Sequence, residues 1–426
     1  MAYSTPTILI SATLISILLP AVFFVRRYLN GGSYADKPCA CKQYGSSPPP
    51  AIESWRSKLI PTSWKKRHPY QGKQGPVVGL VNGLYVHPIK SCKGVRVEEA
   101  EVLSTGLKYD RNFTFAELLD PKGEPDTNSS ESANWKFVTQ RKYRRLANIR
   151  LEIWVPDPES PDYSQDQANV ISQGILRVQY PDPSGDSPST AFKTLDIPYS
   201  PTEDQISKMG YTMQKLTVWK DCPDALLIAS TTNASAPTWI GEIQAYMGCS
   251  KPLALFRVAA GCERQVFRNA PSKEQLGYQS VVGFVDAYPL HLLGLSSVAD
   301  LDHKLASAVP EFKESSALRF RANIYCDGAE AYAEDSWKRI RIGQSIYYVV
   351  CRTTRCELPN IDQRTGERHG SQPSKLMKSY RNIDPGAGLN KACMGMQMVP
   401  ATERGIIKVG DEIEVLETGV HHYISQ

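Results

Sequence analysis

The chain has 426 residues, of which 41% are hydrophobic, a length and composition that allow two or three globular domains. Its net charge of +5 is small for this length, and no segment interleaves basic with aromatic residues as a nucleic-acid groove would, so we exclude nucleic acid as a partner. The ten cysteines lack the dense spacing of a secreted disulfide scaffold, which favours a reducing compartment.

The first predicted element is a membrane-spanning helix near the N-terminus. Residues 7–25 form an uncharged apolar run of nearly the ~20 residues that cross a bilayer, and Arg26 and Arg27 follow it. A cleavable signal peptide would have a shorter apolar region and a basic start. The sequence therefore predicts a retained anchor over residues 1–30, and the positive-inside rule places the rest of the chain on the cytosolic side.

Residues 31–75 are predicted to be a flexible linker. Two adjacent glycines, three adjacent prolines and many Lys, Arg and Ser residues give this segment the composition of a spacer. Cys39 and Cys41 lie within it, and the sequence allows either lipidated or exposed unmodified thiols there. The linker would hold the folded part of the chain away from the bilayer.

Residues 76–258 are predicted to form a first, mostly β domain. Short apolar runs alternate with Gly and Pro turns, a spacing typical of an all-β barrel or sandwich. The apolar spacing over residues 238–248 predicts an amphipathic helix, and residues 251–258 predict a strand. Two polar inserts, residues 120–134 and 156–189, are predicted to be exposed and mobile loops.

Residues 259–426 are predicted to form a second domain that combines strands with helices. One helix is expected to begin at Ser296 or Ser297, since serine is a favoured N-cap residue, and its apolar residues fall on one face. The last segment, residues 405–419, alternates Ile and Val with charges around a Gly-Asp turn. This pattern predicts a hairpin at the rim of a barrel.

The segment around Cys356 is the candidate reactive site. Residues 346–350 predict a strand that ends in a short polar loop holding Arg352, Arg355 and Cys356. Nearby guanidinium groups favour the thiolate, which is the form of cysteine that binds a soft metal or attacks an electrophile. The alternative interpretation of a single cysteine is a small buried hydrophobic residue.

Further cationic and polar residues are predicted to lie at strand ends. Arg321 and Asn323 are two residues apart in a predicted strand, so their side chains would share one side. The set is Lys90, Ser91, Arg111, Arg141, Arg321, Asn323, Arg352 and Arg355, with Cys356 as the candidate thiolate. Cations from separate segments could clamp the phosphate of one anionic ligand. Motifs of nucleotide enzymes, serine hydrolases, zinc proteases and iron–sulfur proteins do not occur.

Seven motifs, in this order, resemble those of the mitochondrial amidoxime-reducing component family, whose members are molybdenum-cofactor enzymes. They are HPIKSCKGV, GLKYDRNF, FRANI, AYAEDSW, TTRCELPNIDQRTG, MKSYRNIDP and GIIKVGD. The resemblance extends over residues 78–416. Together with the predicted anchor, it implies a mixed α/β, mostly β fold, in which one N-terminal transmembrane helix precedes an N-terminal MOSC β-barrel domain and a C-terminal MOSC β-barrel domain.

The resemblance also implies roles for individual residues. Cys356 would be the catalytic residue and the molybdenum ligand, preceded by Arg355 and by Thr354, where the family usually has serine. The residues implied to bind the molybdopterin are Lys90, Ser91, Arg111, Arg321, Asn323, Thr354 and Arg355.

Two positions differ from the family pattern. Family members use a Thr-Ser pair after an aspartate, whereas Asp286 is followed here by Ala287 and Tyr288. Gln397 stands where a tyrosine usually contacts the cofactor. The resemblance therefore predicts that the substrate face and the finer cofactor contacts differ, while the metal ligand is kept.

The activity that the resemblance implies is the reduction of N-hydroxylated compounds such as amidoximes and hydroxylamines. Electrons would come from a cytochrome b5-type haem protein and its NADH-dependent flavin reductase, and the N-terminus would anchor the protein in the outer mitochondrial membrane with its catalytic part facing the cytosol. One alternative is a non-catalytic molybdenum-cofactor carrier or sulfur-transfer MOSC protein. Another is a membrane-tethered binding protein with an inert Cys356.

Overall fold

β-Strands make up most of the computed structural model, which describes residues 37–46, 77–119, 134–183, 191–309, 312 and 316–425. The strands are, in chain order, β1 (Cys41–Tyr44), β2 (Val77–Val86), β3 (Val95–Val97), β4 (Glu99–Leu103), β5 (Gly106–Leu107), β6 (Phe113–Leu118), β7 (Trp135–Phe137), β8 (Arg150–Pro156), β9 (Ile175–Pro181), β10 (Phe192–Pro198), β11 (Thr212–Thr217), β12 (Asp224–Ser230), β13 (Leu253–Val258), β14 (Arg264–Gln265), β15 (Val281–Val282), β16 (Leu290–Gly294), β17 (Ile324–Asp327), β18 (Trp337–Ile342), β19 (Ser345–Arg355), β20 (Ala392–Pro400), β21 (Arg404–Lys408) and β22 (Glu412–Thr418).

Helices are short and lie between the strands. The α-helices are α1 (Ala168–Ile171), α2 (Glu203–Met209), α3 (Thr238–Met247), α4 (Lys273–Leu276), α5 (Leu295–Ala308) and α6 (Ser374–Tyr380). The 3₁₀ helices are Arg144–Asn148, Ala317–Phe320, Ala333–Ser336, Leu358–Asn360 and Pro385–Ala387. The predicted mixed, mostly β fold is confirmed.

A small closed barrel is formed by β11, β12, β13, β6 and β7, in that order. Its interior is aromatic: Trp135 meets Phe256 edge-on, with 5.9 Å between the ring centroids, and both side chains are buried. Burying such a ring contributes ~2–3 kcal/mol. The predicted strand at 251–258 is β13. The predicted helix at 238–248 is α3, which lies against β13 and buries its apolar face.

A larger sheet has the strand order β17-β16-β20-β19-β18-β22-β2-β3, and an additional pairing of β17 with β2 closes it. β2 comes from the predicted first domain, yet it pairs with β17 and β22 of the predicted second domain. A continuous cluster of buried side chains, including Leu84, Phe113 and Tyr347, joins the two parts. The domain limits at residues 76–258 and 259–426 stay a prediction.

The insert at residues 156–189 is not a loop throughout, as the composition predicted. It contains α1 and β9, and β9 pairs with β8 and β10 in a four-stranded antiparallel sheet. Leu176, Val178 and Tyr180 of β9 are buried. The apolar alternation of this strand is hidden when composition is averaged over the polar residues around it. Of the other insert, residues 120–133 lie outside the described part of the chain.

Part of the predicted linker is folded. β1 pairs along its whole length with β8, and Cys41 is fully buried while Cys39 is exposed. A lipidated or exposed Cys41 is therefore wrong for this fold. The predicted anchor, residues 1–30, lies outside the described residues. In the ranges that are described, no helix combines the length and the apolar character needed to span a bilayer.

Two local predictions in the second half are wrong. The helix α5 begins at Leu295 and has Gly294 as its N-cap, because the hydroxyl of Ser296 donates to Ala329 O and that of Ser297 to Glu334 Oε1. Its predicted apolar face is buried as expected. The segment 405–419 is not a hairpin, since β21 pairs with β4 whereas β22 pairs with β18 and β2.

Candidate functional site

Cys356 directly follows the long strand β19. The predicted strand at 346–350 is too short, because β19 keeps its pairing with β20 as far as Arg355, which faces Ala392. Cys356 is exposed, and its sulfur accepts a hydrogen bond from the backbone N–H of Leu358 at 3.4 Å. The thiol is therefore accessible and lies at the end of a rigid element.

The loop after Cys356 is held by buried contacts. The guanidinium of Arg319 donates to Pro359 O at 3.2 Å and to Asp362 Oδ2 at 2.7 Å. Asn360 Oδ1 accepts from the N–H of Ser374 at 3.0 Å, which ties the loop to α6. These contacts fix the backbone around the sulfur, as a preorganised reactive site requires.

Arg355 and Arg321 lie together beside this loop. Arg355 donates from Nη2 to Phe320 O at 3.0 Å, and Arg321 donates from Nη1 to Gln363 Oε1 at 3.3 Å. Burial and the neighbouring Arg111 lower the pKa of Arg321 to about 10. Burial also lowers the pKa of Arg355. Both guanidinium groups remain charged at neutral pH in a poorly solvated site.

The strand predicted for Arg321 and Asn323 begins only at Ile324. Arg321 ends a 3₁₀ helix in a left-handed conformation, with φ of 53°, so the prediction that both residues lie in a strand is wrong. The Asn323 side chain accepts from His291 N at 3.2 Å and donates to Tyr85 O at 3.1 Å. It ties the backbone of His291 to that of Tyr85, and its role as a cofactor contact stays a prediction.

Lys90 and Ser91 lie on the first-domain side of the same region. The buried ammonium of Lys90 donates to Phe284 O at 2.8 Å and to Asp286 Oδ1 at 2.5 Å. Burial lowers the pKa of Lys90, and Asp286 opposes that shift. Ser91 is buried with φ of 69°, and its carbonyl accepts from Gln140 Nε2 at 2.7 Å.

Arg111 connects the two parts of the site. Its guanidinium donates to Arg321 O at 3.0 Å, to Asn323 Oδ1 at 3.4 Å and to Asp110 Oδ2 at 2.5 Å. Burial opposes ionisation of Asp110, but Arg111 and a hydrogen bond with His87 lower the pKa of this carboxyl to about 2. Asp110 is thus a buried anion that orients Arg111.

We call Lys90, Arg111, Arg321 and Arg355 the cation cluster. Within the described part of the chain, Arg321 Nη2 and Arg355 Nε are buried without a hydrogen-bond partner. Buried donors of this kind are costly unless a ligand satisfies them. Burial, Arg355 and Arg111 also lower the pKa of the adjacent His291, which keeps its imidazole neutral. The cluster suits a large anion, such as the phosphate of a cofactor.

A metal would have to arrive with most of its own ligands. Among the residues that the structure describes, no three His, Cys, Asp or Glu side chains converge as a metal site. Cys356 can supply one soft sulfur ligand next to the cation cluster. This donor set would fit the pterin-borne molybdenum that the resemblance implies, with the cations facing its phosphate and the thiolate available to its metal.

Other predicted residues lie outside the cation cluster. Arg352 donates to Asp384 Oδ2 at 3.2 Å and to His421 O at 3.0 Å, so it belongs to a structural ion-pair network. Its role as a ligand-facing cation stays a prediction. Thr354 is half-buried beside the Tyr423 hydroxyl. Gln397 lies in β20, where it is paired with His291 of β16 on one side and with Cys351 of β19 on the other.

Sequence reasoning missed an amide pair that joins the segments. Gln140 and Gln363 exchange two hydrogen bonds of 2.9 Å, and both side chains are buried. Through them Ser91 O is connected to Arg321. Gln363 lies within the TTRCELPNIDQRTG motif, which was a usable signal, but nothing in the sequence pairs it with Gln140.

The ion pair of Asp110 with Arg111 predicts a pH-dependent stability. The folded pKa of about 2 is below the ordinary 3.8, so this carboxylate stabilises the fold by about 2 kcal/mol above pH 4, and that contribution is lost as the pH falls towards 2. We expect D110N to lower the free energy of unfolding by at least that amount at pH 7, with a smaller difference near pH 3. Urea unfolding at several pH values measures it.

The control for that experiment is the exposed Asp204, which pairs with Lys208 on the surface of α2. D204N should change the free energy of unfolding by less than about 0.5 kcal/mol at any pH. A D110N difference that is equally large at pH 3 and pH 7 would contradict ionisation of Asp110 as its cause.

Comparisons with known proteins agree with the fold. Residues 78–211 match the MOSC N-terminal beta barrel domain, and residues 279–414 match the MOSC domain. The chain is 26% identical to mitochondrial amidoxime-reducing component 1 of Mus musculus, over 83% of this chain and 87% of the relative. Its identity to the Homo sapiens protein of the same name is 27%, over 80% and 83%.

A second kind of relative shares only part of its length with this chain. The chain is 23% identical to a molybdenum cofactor sulfurase of Oryza sativa subsp. japonica, over 71% of this chain but 31% of that protein. Both kinds of relative carry names that refer to molybdenum-cofactor or amidoxime chemistry. The chain belongs to the MOSC-domain family that includes the mitochondrial amidoxime-reducing components, as its motifs predicted.

Proposed function

We propose that this protein is a molybdenum-cofactor-dependent reductase of N-hydroxylated compounds. The observation that carries the proposal is the position of the exposed Cys356 thiol next to the cation cluster, where two buried guanidinium nitrogens have no partner in the described residues. An anionic pterin cofactor would satisfy those nitrogens and bring its metal to the sulfur. The family membership supports the same assignment.

The residues that would hold the cofactor come from both halves of the chain. Lys90 and Arg111 from one half, with Arg321 and Arg355 from the other, would bind its phosphate and pterin oxygens through charge-assisted hydrogen bonds. Ser91 and Thr354 would contribute polar contacts. Cys356 would ligate molybdenum, and the contacts of Arg319 would keep the sulfur in place.

When bound, the cofactor would supply the two-electron redox chemistry that reductive cleavage of the N–O bond requires. Overall, an amidoxime, two electrons and two protons give an amidine and one water. The protein's part is to exclude competing ligands and to hold the metal ligand and the cations in fixed positions. Buried cations would also favour the reduced, more negative state of the site electrostatically.

The electron source is proposed to be a cytochrome b5-type haem protein with its NADH-dependent flavin reductase. We also propose that residues 7–25 anchor the protein in the outer mitochondrial membrane, with the catalytic part facing the cytosol. The names of several relatives contain the word mitochondrial, which supports the organelle. The apolar run itself supports the anchor.

The alternative is a non-catalytic cofactor carrier or a sulfur-transfer MOSC protein. The similarity to a molybdenum cofactor sulfurase favours considering it, since that similarity extends over 71% of this chain. A carrier would bind the cofactor through the same cation cluster but would turn over no substrate.

The experiment is a reconstituted reduction assay. The full chain, loaded with molybdenum cofactor, is combined with a cytochrome b5, its flavin reductase, NADH and benzamidoxime. We expect benzamidine to form with one NADH consumed per product, and no product when the haem protein is left out. A molybdenum-loaded protein that reduces no N-hydroxylated compound, with either the haem donor or a chemical reductant, would contradict the reductase and leave the carrier.

A further inference from the structure

Trp219 has an unusual backbone conformation. Val218 and Asp221 exchange two backbone hydrogen bonds of 2.9 and 3.0 Å, which leaves Trp219 and Lys220 as a two-residue turn. The φ angle of Trp219 is 58°, whereas that of Lys220 is not positive. Positive φ at the first of two turn residues is typical of a type II′ turn, in which that position is normally glycine. A bulky side chain there is strained.

The indole of Trp219 lies beside the cation cluster. Its Nε1 donates to Asp286 Oδ1 at 3.3 Å, and the same oxygen accepts from Lys90 at 2.5 Å. Phe137 meets the indole edge-on at 5.0 Å, and the guanidinium of Arg141 lies 5.2 Å from its ring centroid. Even so, 44% of Trp219 is exposed. A large apolar surface thus remains open next to buried charges.

Asp286 is a second carboxylate in this region, beside Asp110. Its side chain is 70% exposed, although it pairs with a buried ammonium. The surrounding protein partly desolvates it, but Lys90, Arg111 and Arg141 lower the pKa of this carboxylate and keep it ionised. An exposed carboxylate beside an exposed aromatic ring suits a flat ligand that carries N–H donors.

We propose that Trp219 is a substrate-positioning residue that selects flat aromatic substrates, with Asp286 accepting hydrogen bonds from their nitrogen groups. This inference rests on the proposed reductase function and names the substrate class of that site. Amidoximes and amidines on an aromatic ring have the required shape, since the ring can stack on the indole while the N–H groups reach the carboxylate. The strain at Trp219 is then retained because the side chain serves the site and not the turn.

The test uses two substitutions of Trp219 in the cofactor-loaded enzyme and one matched control. W219G supplies the residue that the turn prefers, and W219F keeps a smaller aromatic ring. W154F is the control, because Trp154 is also a partly buried tryptophan with a guanidinium at its ring, that of Arg177 at 5.4 Å, but it lies in the four-stranded sheet. The readout is the ratio of kcat/KM for benzamidoxime to kcat/KM for acetamidoxime, which has no ring.

We expect W219G to lower that ratio by about tenfold, mainly through a higher KM for benzamidoxime, and W219F to lower it by less than about threefold. The melting temperature of W219G should equal or exceed that of the natural protein, because glycine adopts positive φ without strain. W154F should leave the ratio unchanged. A W219G ratio within twofold of the natural protein, or a melting temperature lowered by more than about 5 °C, would overturn the proposal.

Binding of the product, benzamidine, separates this proposal from the proposed function. If the natural protein reduces no N-hydroxylated compound, the reductase assignment fails, but calorimetry with benzamidine still tests Trp219. We expect benzamidine to bind about tenfold more weakly to both W219G and D286N than to the natural protein. Equal affinity in all three proteins would show that neither residue contacts the flat ligand.

Discussion

Replacement of Cys356 by serine is expected to lower the molybdenum content and the reductase activity of the protein by more than about 100-fold. The sulfur would be the single ligand that the chain offers the metal, since the described residues contain no other converging set of ligands. A serine hydroxyl stays protonated at neutral pH and is a hard donor, so it cannot replace a thiolate. Metal analysis and benzamidoxime reduction measure the two losses.

The fold should not change in that variant. Cys356 is exposed, and one weak backbone contact to its sulfur is lost, so the melting temperature should stay within about 2 °C of the natural protein. Cys39 is the control, because it is also an exposed free cysteine and lies beside β1. C39S should keep both metal and activity. Full molybdenum content and activity in C356S would exclude Cys356 as the ligand.

Short motifs and apolar periodicity carry different kinds of information about this chain. Lys90, Arg111 and Arg321 come from distant segments, yet Arg111 lies near both of the others, and their role as cofactor contacts stays a prediction. Periodicity predicts the strand β13 and the helix α3 for the same reason that they fold: their apolar residues recur at the spacing of one buried face.

The errors come from information that local sequence does not contain. Local sequence likewise does not show that Arg352 pairs with Asp384, which lies 32 residues further along the chain. β1 and β9 are strands because partner strands are available, although the composition of their surroundings is that of a spacer or loop. Pairing between distant segments overrides local composition in each case.

Substitution of Arg321 should affect cofactor affinity and the stability of the fold in opposite directions. Its pKa is lowered to about 10 from 12.5, chiefly by burial and then by Arg111, so the charged guanidinium costs the ligand-free fold about 3 kcal/mol at neutral pH. This cation has its folded pKa below its unfolded pKa, and its charge therefore destabilises the fold at every pH below 10. A bound anion would reverse that cost.

R321Q is therefore expected to leave the cofactor-free protein as stable as before or more stable, while its affinity for the cofactor falls by about 100-fold or more. R352Q is the matched control from the same neighbourhood. This variant would leave the fully buried Asp384 without its guanidinium partner. R352Q should therefore lower the free energy of unfolding by about 3–5 kcal/mol. It should still contain one molybdenum per folded molecule.

Urea unfolding of the cofactor-free proteins and metal content of the folded fractions together measure both effects. We expect R321Q to be stable but to lack molybdenum, and R352Q to be less stable but to contain molybdenum. If R321Q unfolds as easily as R352Q and still carries molybdenum, the buried nitrogen without a partner at Arg321 serves packing alone, and the anion must bind elsewhere. The same outcome would leave Arg355 as the one member of the cation cluster with an unpartnered nitrogen among the described residues, because Lys90 is already paired with Asp286 and Arg111 with Asp110.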